Sequence, residues 1–322
     1  MDTSNLIAMP SAVKNTNDSK AIVEKVNQMI ENKRISQASI SKESGIPKTR
    51  LSQFLNGRYP GDNDKVSGEL AAWLKSREQK AKALPTIPSF VETTTVRQIW
   101  SALQYAQMAN CISIIYGNPG VSKTQAIKRY QKDNPNVWLI TISPSRASVL
   151  ECLYEMALEL GINNAPRRKG PLSRLITKKL EDSQGLVIID EADQLQHEAL
   201  EEIRAIQERA EVGFALVGNH QVYSNLTGGK RDIDFARLFS RIAKKLVIHK
   251  VKKRDISDVA DAWGLRGKDE RVLIEQIASK PGGLRTLFQT LRLAAMVAKG
   301  QNQTINAQHI KYAFNDLDGV SQ

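Results

Sequence analysis

A glycine-rich turn stands between a short apolar run, 112–116, and a segment compatible with a helix, 125–130. When such a turn joins a strand to a helix, its backbone N–H groups and the positive end of the helix converge on the phosphates of a nucleotide. Lys123 would reach the β and γ phosphates, and Thr124 would place its hydroxyl on Mg²⁺. The alternative is an ordinary Gly/Pro turn that merely ends in Lys-Thr. The residues of the turn are Gly117, Asn118, Pro119, Gly120, Val121, Ser122, Lys123 and Thr124.

One position of this turn departs from the usual phosphate-binding pattern, which has glycine before the lysine. Ser122 stands there instead. If the backbone needs a positive φ at this position, a residue other than glycine costs about 1–2 kcal/mol. The Cβ also crowds the closest approach of the backbone to the phosphates. We therefore expect weaker nucleotide binding or slower turnover than glycine would give.

Paired carboxylates follow the most continuous apolar run of the chain, 185–189. Such a run is typical of a central strand buried on both faces, and it would place Asp190 and Glu191 at the strand's C-terminal tip. Two adjacent acids repel each other unless a cation lies between or beside them. With a phosphate-binding turn on a neighbouring strand, Asp190 would hold Mg²⁺ and Glu191 would polarise the attacking water. An aspartate that caps the next helix is the alternative, and Asp193 could serve as that cap.

Four further polar residues have positions that suit nucleotide chemistry. Asn219 follows the strand predicted over 214–217, where its amide could hydrogen-bond the γ-phosphate or the water. Arg237 and Arg241 stand four residues apart, on one face of a predicted helix, so one of them could reach a neighbouring subunit's γ-phosphate. Arg285 lies in the first turn of the predicted last long helix, against the helix dipole, and a nearby phosphate would resolve that conflict.

Alternation of helices and strands from residue 95 onward predicts an α/β fold with a parallel sheet. Ligands then bind at the carboxyl ends of the strands. We expect an α/β domain over 93–254 and a small helical lid over 255–318. The segments that carry this prediction are the helices 96–108 and 147–160 and the strands 111–116, 137–142, 185–190 and 214–217.

The first part of the chain has a different pattern. We expect a disordered arm over 1–19, an all-helical domain over 20–77 and a linker over 78–92. Within the helical domain, Gly45 fits the tight turn of a helix-turn-helix, whose second helix would expose Lys48, Thr49 and Arg50 to a DNA groove. The alternative is a helical module that binds protein without reading bases.

The charge balance favours an anionic partner. The 322 residues carry a net charge of +12, and nucleic acid is the first candidate. Arg167, Arg168 and Lys169 stand between two prolines, which would hold a basic loop out from the body to contact DNA phosphates. No run approaches the roughly 18 apolar residues of a membrane span, and the N-terminus lacks a signal-peptide pattern, so we expect a cytoplasmic protein with no membrane partner.

Taken in order, these motifs resemble the AAA+ ATPase family, and within it the MuB-type transposition ATPases of phage Mu. The resemblance extends over residues 36–317. It implies an AAA+ P-loop NTPase fold with a C-terminal helical lid, preceded by an all-α helix-turn-helix domain. It also implies the Walker A motif at 117–124, Walker B at Asp190 and Glu191, sensor 1 at Asn219, an arginine finger at Arg237 or Arg241, and sensor 2 at Arg285. Strings that carry it include FVETTTVRQIW, NVWLITISPS, NAPRRKGPLSR, GLVIIDEAD, VYSNLTGG and FARLFSRIAK.

The function implied by the resemblance is that of an ATPase requiring ATP and Mg²⁺ in the host cell cytoplasm. It would bind double-stranded DNA without sequence preference, polymerise on it as a helical filament, deliver target DNA to a transposase and stimulate strand transfer. Two alternatives stay open. One is a helicase-loader-like AAA+ ATPase. The other is a transcriptional regulator whose helix-turn-helix reads an operator while the ATPase core is structural.

Overall fold

The computed structural model of the chain describes residues 16–32, 35–83, 87–227 and 242–318. These residues divide into two compact units, 1–85 and 86–322. Most of the predicted arm and both candidate finger arginines, Arg237 and Arg241, lie outside the described residues. Within those residues, no helix is long and apolar enough to cross a membrane.

In the first unit, the described residues 16–32 and 35–83 form four helices around a small apolar core. The last helix runs to Ala83, although the sequence predicted a linker from residue 78; residues 78–83 are mostly Lys, Gln, Glu and Ala, which favour helix. The first helix begins at Thr16, inside the predicted arm. The helices are α1 (Thr16–Glu31), α2 (Gln37–Ser44), α3 (Lys48–Leu55) and α4 (Asn63–Ala83). Their core includes Val26, Ile40, Ile46, Leu51, Phe54, Leu70 and Trp73.

Two short helices and a tight turn occupy the positions predicted for a helix-turn-helix. The side chain of Ser36 caps α2 by accepting a hydrogen bond from the N–H of Ser39, at 3.1 Å. Gly45 ends α2 in the left-handed conformation, with φ of 75°. The hydroxyl of Ser41 donates to the carbonyl of Ile46 at 2.6 Å, which closes the turn before α3 begins.

The second unit is built on a five-stranded parallel sheet with the strand order β2-β3-β4-β1-β5. The α/β fold with a parallel sheet is therefore confirmed. The strands are β1 (Ile112–Gly117), β2 (Val137–Thr141), β3 (Leu186–Asp190), β4 (Gly213–Gly218) and β5 (Ile242–Ile248). The helices described beside them, over 87–227, are α5 (Thr94–Met108), α6 (Lys123–Asp133), α7 (Val149–Glu159), α8 (Lys169–Leu180), α9 (His197–Ala210) and α10 (His220–Thr227).

Helices cover both faces of this sheet. One apolar cluster joins the sheet to α7, α8, α9 and α10, and another joins it to α5 and α6. Every residue of β1, β3 and β4 is buried. These strands lie side by side in the centre of the sheet, so their C-terminal ends are held rigidly next to one another.

The edge strand β5 was missed in the sequence, which predicted a helix over 235–242. Ile242 instead begins a strand that pairs with β1. Lys244 and Lys245 interrupt its apolar pattern, and at the strand's centre Ala243 and Lys245 are exposed while Lys244 and Leu246 are partly buried. The β-forming residues Val247 and Ile248 were the available signal.

Within the described residues 242–318, four helices follow the sheet and share an apolar core of their own, as predicted for the lid. One joint with the α/β part is polar: the buried carboxylate of Asp255 accepts hydrogen bonds from the N–H and the hydroxyl of Thr95, at 2.9 and 2.5 Å. Asp258 accepts from the N–H of Thr94 at 3.2 Å. Two lid carboxylates therefore cap the first turn of α5. The helices are α11 (Lys253–Ala262), α12 (Lys268–Ala278), α13 (Gly283–Gly300) and α14 (Ala307–Asp318).

Candidate nucleotide-binding site

The glycine-rich turn joins the end of β1 to the start of α6, as the sequence predicted. Gly117 and Gly120 are required by close approaches of the backbone. A Cβ on Gly117 would overlap the carbonyl oxygen of Ile248, and a Cβ on Gly120 would overlap the carbonyl oxygen of Gly282. The turn is therefore wedged between the end of β5 and the start of α13.

Ser122 adopts the left-handed conformation that the sequence analysis considered. Its φ and ψ are 68° and 16°, directly before the first residue of α6. Its hydroxyl makes no capping hydrogen bond to the helix. The backbone at this position thus has the geometry that glycine adopts at no steric cost, and serine carries the strain.

Lys123 folds back over the turn. Its ammonium donates hydrogen bonds to the carbonyls of Gly117 and Asn118, at 2.8 and 2.9 Å. Burial lowers the pKa of Lys123, and the nearby carboxylates Asp190 and Glu191 oppose that shift. A phosphate at the turn would supply the negative charge that this partly buried ammonium lacks.

Thr124 and Asp190 meet between β1 and β3. The threonine hydroxyl donates to Asp190 Oδ2 at 3.0 Å, and the N–H of Glu191 donates to Asp190 Oδ1 at 3.1 Å. Asp190 is only 2% exposed, and burial raises its pKa even though these hydrogen bonds oppose the shift. A hydroxyl beside a buried carboxylate is an oxygen ligand pair that suits Mg²⁺.

Glu191 stands in a left-handed conformation, with φ of 56°, which turns the chain away from β3. Its side chain is exposed and lines the same cavity as Lys123 and Thr124. Desolvation raises the pKa of Glu191, repulsion from Asp190 and Asp193 raises it further, and Lys123 and Arg285 oppose the shift. A carboxylate with a raised pKa is a stronger base towards water.

Asn219 follows β4 and is held by Asp193. The carboxylate accepts hydrogen bonds from the backbone N–H and the side-chain Nδ2 of Asn219, at 3.1 and 2.9 Å. The alternative that Asp193 caps the next helix is wrong, because the residue at the N-cap of α9 is Gln196. Sequence reasoning missed the link to Asn219; the only signal was a third acid two residues after Glu191.

The lid completes the cavity through the start of α13. The N–H of Leu284 donates to the carbonyl of Gly120 at 2.9 Å, so the turn caps the helix that carries Arg285. Arg285 is the third residue of α13 and lines the cavity, which has a volume of about 640 Å³. The other predicted nucleotide residues on its wall are Pro119, Gly120, Ser122, Lys123, Thr124, Asp190, Glu191 and Asn219.

Asn118 contacts two histidines, His249 and His220, that the sequence did not predict as its partners. Its side chain donates to the carbonyl of His249 at 2.5 Å, and its Oδ1 lies 3.2 Å from Nε2 of His220. The two imidazoles stack with ring centroids 5.7 Å apart. The turn is thereby tied to the start of α10 and to the residue after β5.

Comparisons with known proteins agree with this geometry. A family described as "AAA domain" matches residues 107–226, and one described as "Mu B transposition protein, C terminal" matches residues 240–317. The ATP-dependent target DNA activator B of Escherichia phage Mu is 52% identical over 90% of this chain and 93% of that protein. The Mu-like prophage FluMu DNA transposition protein B of Haemophilus influenzae is 47% identical over 84% of this chain and 94% of that protein.

The chain belongs to the Mu B transposition protein family. Its α/β part is an AAA domain, and the protein is an ATPase. This assignment favours a transposition protein over the helicase-loader and operator-binding alternatives.

The basic segment of this Mu B-type ATPase differs from the predicted loop. Helix α8 begins at Lys169, so the second proline lies in its first turn. Arg167 is not held out from the body: its guanidinium lies 3.9 Å from the ring centroid of Tyr154 and 3.3 Å from Glu151, both on α7. Arg168 and Lys169 are exposed at the start of α8. Their role in DNA binding stays a prediction.

The residues of α3 that were predicted to face a DNA groove differ in their exposure to solvent. Lys48 and Thr49 are exposed. Arg50 is half-buried and pairs with Glu69 of α4 at 2.5 Å, so the expectation that it stands exposed is wrong. Lys48 and Thr49 remain the candidates for DNA contact on this helix.

The strain at Ser122 yields a prediction. Ser122→Gly removes the Cβ that crowds the approach of phosphates to the turn, so we expect ATP to bind more tightly. The gain should be at most about 5- to 30-fold, the equivalent of 1–2 kcal/mol when the whole cost of the Cβ is felt in the nucleotide-bound turn. Titration with a fluorescent ATP analogue measures this. Ser122→Ala keeps the Cβ and should bind ATP as the wild type does. Equal gains in both variants would assign the effect to the hydroxyl, and no gain in the glycine variant would show that the serine is accommodated.

The buried carboxylate of Asp190 yields a prediction about stability and pH. Burial raises the pKa of Asp190 above its ordinary value of 3.8, so at a pH above the raised pKa the charged carboxylate destabilises the folded protein. Below about pH 4, Asp190 is protonated in both the folded and the unfolded chain, and this destabilisation disappears. Asp190→Asn should therefore unfold at a higher temperature than the wild type near neutral pH, without nucleotide or Mg²⁺. The gain should shrink towards acid pH.

Thermal unfolding followed by circular dichroism across pH measures this gain. Asp316→Asn, which neutralises an exposed carboxylate on α14, is the control and should change little. A variant at position 190 that is less stable than the wild type at every pH would contradict the account.

Proposed function

We propose that this chain binds and hydrolyses ATP in the cavity between its AAA domain and its lid, and that the ATP-bound form activates target DNA for a transposase. One observation carries the proposal: a single cavity gathers Lys123, Glu191, Asn219 and Arg285 around the Thr124–Asp190 pair. The printed names of the phage Mu and Haemophilus relatives describe an ATP-dependent target DNA activator and a DNA transposition protein.

Each side chain in the cavity has a role that its position supports. Lys123 exchanges its bonds to the two turn carbonyls for the β and γ phosphates. Glu191 accepts a proton from the attacking water, and Asn219 donates a hydrogen bond to the γ-phosphate or that water. Arg285 stabilises the developing charge from the lid side.

Thr124 and Asp190 are the residues that fit Mg²⁺. Their oxygens lie 3.0 Å apart, one at the start of α6 and the other at the end of β3, and a hydroxyl and a carboxylate are hard oxygen ligands. Bound there, Mg²⁺ would neutralise charge on the β and γ phosphates. A bound cation would also reduce the repulsion between the carboxylates of Asp190 and Glu191, which is a second reason for the site to bind it.

DNA binding is proposed at the start of α8. Arg168 and Lys169 stand at the N-terminus of a helix, where cations oppose the helix dipole and the N–H groups favour an anion. DNA phosphates would satisfy both. Contacts with phosphates carry no base information, so binding would be independent of sequence.

Self-assembly is proposed to connect the two activities. An arginine from a neighbouring copy, Arg237 or Arg241, would complete the ATP site, so bound ATP joins subunits and hydrolysis separates them. Each copy contributes a few phosphate contacts, and a row of copies sums them into tight, salt-sensitive binding. A helical filament on double-stranded DNA is the assembly that follows.

The role of Glu191 as base is tested by Glu191→Gln. The amide cannot accept the proton, so ATP should persist in the site and the complex with DNA should dissociate many times more slowly than the wild type with ATP. With ADP the two should match. Dissociation from surface-bound duplex after a wash containing ATP measures this, with Glu198→Gln on α9 as the control. Rapid release of the variant in ATP would remove Glu191 from the base role.

The DNA surface is tested by Arg168→Ala combined with Lys169→Ala. Loss of two phosphate contacts should weaken DNA binding and reduce the slope of log K against log salt concentration by about 1.8 per protein bound. Fluorescence anisotropy over a series of salt concentrations measures it. Lys268→Ala combined with Lys311→Ala removes the same charge from exposed lid positions and should leave the slope nearly unchanged. Equal slopes for the wild type and the α8 variant would refute this surface.

A further inference from the structure

Three carboxylates stand within four residues at the end of β3, and the third accepts hydrogen bonds from the residue that follows β4. Asp193 is 7% exposed and lies in the short 3₁₀ turn Ala192–Gln194. Its two oxygens accept from two different donors of one residue, the backbone N–H and the side-chain Nδ2 of Asn219, at 3.1 and 2.9 Å. The carboxylate therefore binds both the main chain and the side chain of Asn219.

The end of β4 is shaped to admit this carboxylate. A Cβ on Gly218, the last residue of the strand, would overlap Asp193 Oδ1 and the Val222 side chain. A glycine there lets the carboxylate lie directly against the strand end. Gln194 adds a further hydrogen bond from its Nε2 to Asp193 Oδ2, at 2.9 Å, which holds the carboxylate in place.

These contacts also determine which way the amide of Asn219 faces. Its Oδ1 accepts from the N–H of Gln221 at 2.6 Å, while its Nδ2 donates to Asp193. A carboxylate can only accept and a backbone N–H can only donate. A flipped amide would therefore oppose oxygen to oxygen and N–H to N–H. Nδ2 carries two hydrogens, one of which donates to Asp193, and Asn219 lines the cavity.

We propose that Asp193 is a positioning residue for ATP hydrolysis, which fixes the Asn219 amide with its N–H group available to the γ-phosphate or the attacking water. The proposal rests on the proposed function and adds one residue to it. Because Asp193 lies two residues after Glu191 and bonds Asn219, the same carboxylate also links the base that follows β3 to the donor that follows β4. Hydrolysis needs both groups in place together.

Asp193→Asn tests the proposal. An asparagine offers one acceptor where Asn219 presents two donors, so one of the two contacts is lost and the Asn219 amide is held less firmly, although the N–H of Gln221 still bonds its Oδ1. Loss of one preoriented donor typically lowers kcat by about 100- to 1,000-fold. We expect kcat for ATP to fall by at least about tenfold, while KM for ATP stays close to the wild-type value.

A double-mutant comparison separates positioning from an independent effect. Asn219→Ala alone should lower kcat by a similar factor, and Asp193→Asn should lower it no further in that background. If the two losses multiply, Asp193 acts independently of Asn219 and the proposal is overturned. A kcat loss accompanied by a shift of the acidic limb of the pH–rate profile would assign the effect to charge on Glu191 and would also overturn it.

Gly218→Ala supplies the second variant in case Asp193→Asn does not fold. The added methyl group displaces Asp193 Oδ1 from the other side while all the polar groups remain, so the same loss of kcat with unchanged KM is expected. Wild-type kcat in this variant would overturn the proposal. If the wild-type protein itself does not hydrolyse ATP, the proposed function fails, which distinguishes that failure from failure of the Asp193 role.

Discussion

The close approach of the glycine-rich turn to two other backbones is the constraint on which the site depends. Gly117 lies against Ile248 at the end of β5, and Gly120 lies against Gly282 before α13. The hydrogen bond from Leu284 to Gly120 makes the turn the cap of the lid helix. A change in the turn when nucleotide binds or leaves must therefore reach both the edge strand and the lid.

Charge is the second organising feature. Asp190, Glu191 and Asp193 follow one strand, and Lys123 and Arg285 face them from the turn and the lid. Burial raises the pKa of Asp190 and lowers that of Lys123, so each is held in an environment that disfavours its charge. Such groups are destabilising by themselves and become favourable when phosphates and a divalent cation complete the balance.

The sequence predicted the members of this site because their convergence follows from topology. Lys123, Asp190 and Asn219 each follow a strand of one parallel sheet, and such strands end at the same edge. Side-chain partners could not be predicted in the same way. Asp193 binds Asn219 and Arg167 packs on α7 because of how separate elements meet. Strand β5 was missed because an edge strand with two lysines lacks a continuous apolar run.

The central claim is that ATP in this cavity controls DNA binding that is independent of sequence. Co-sedimentation of the protein with several unrelated duplexes, in ATP, ADP or no nucleotide, tests it most directly. The account predicts ATP-dependent pelleting on every duplex, and loss of that dependence in Lys123→Ala. Binding to a single sequence without nucleotide, unchanged in the variant, would contradict it and transfer DNA recognition to the N-terminal helices.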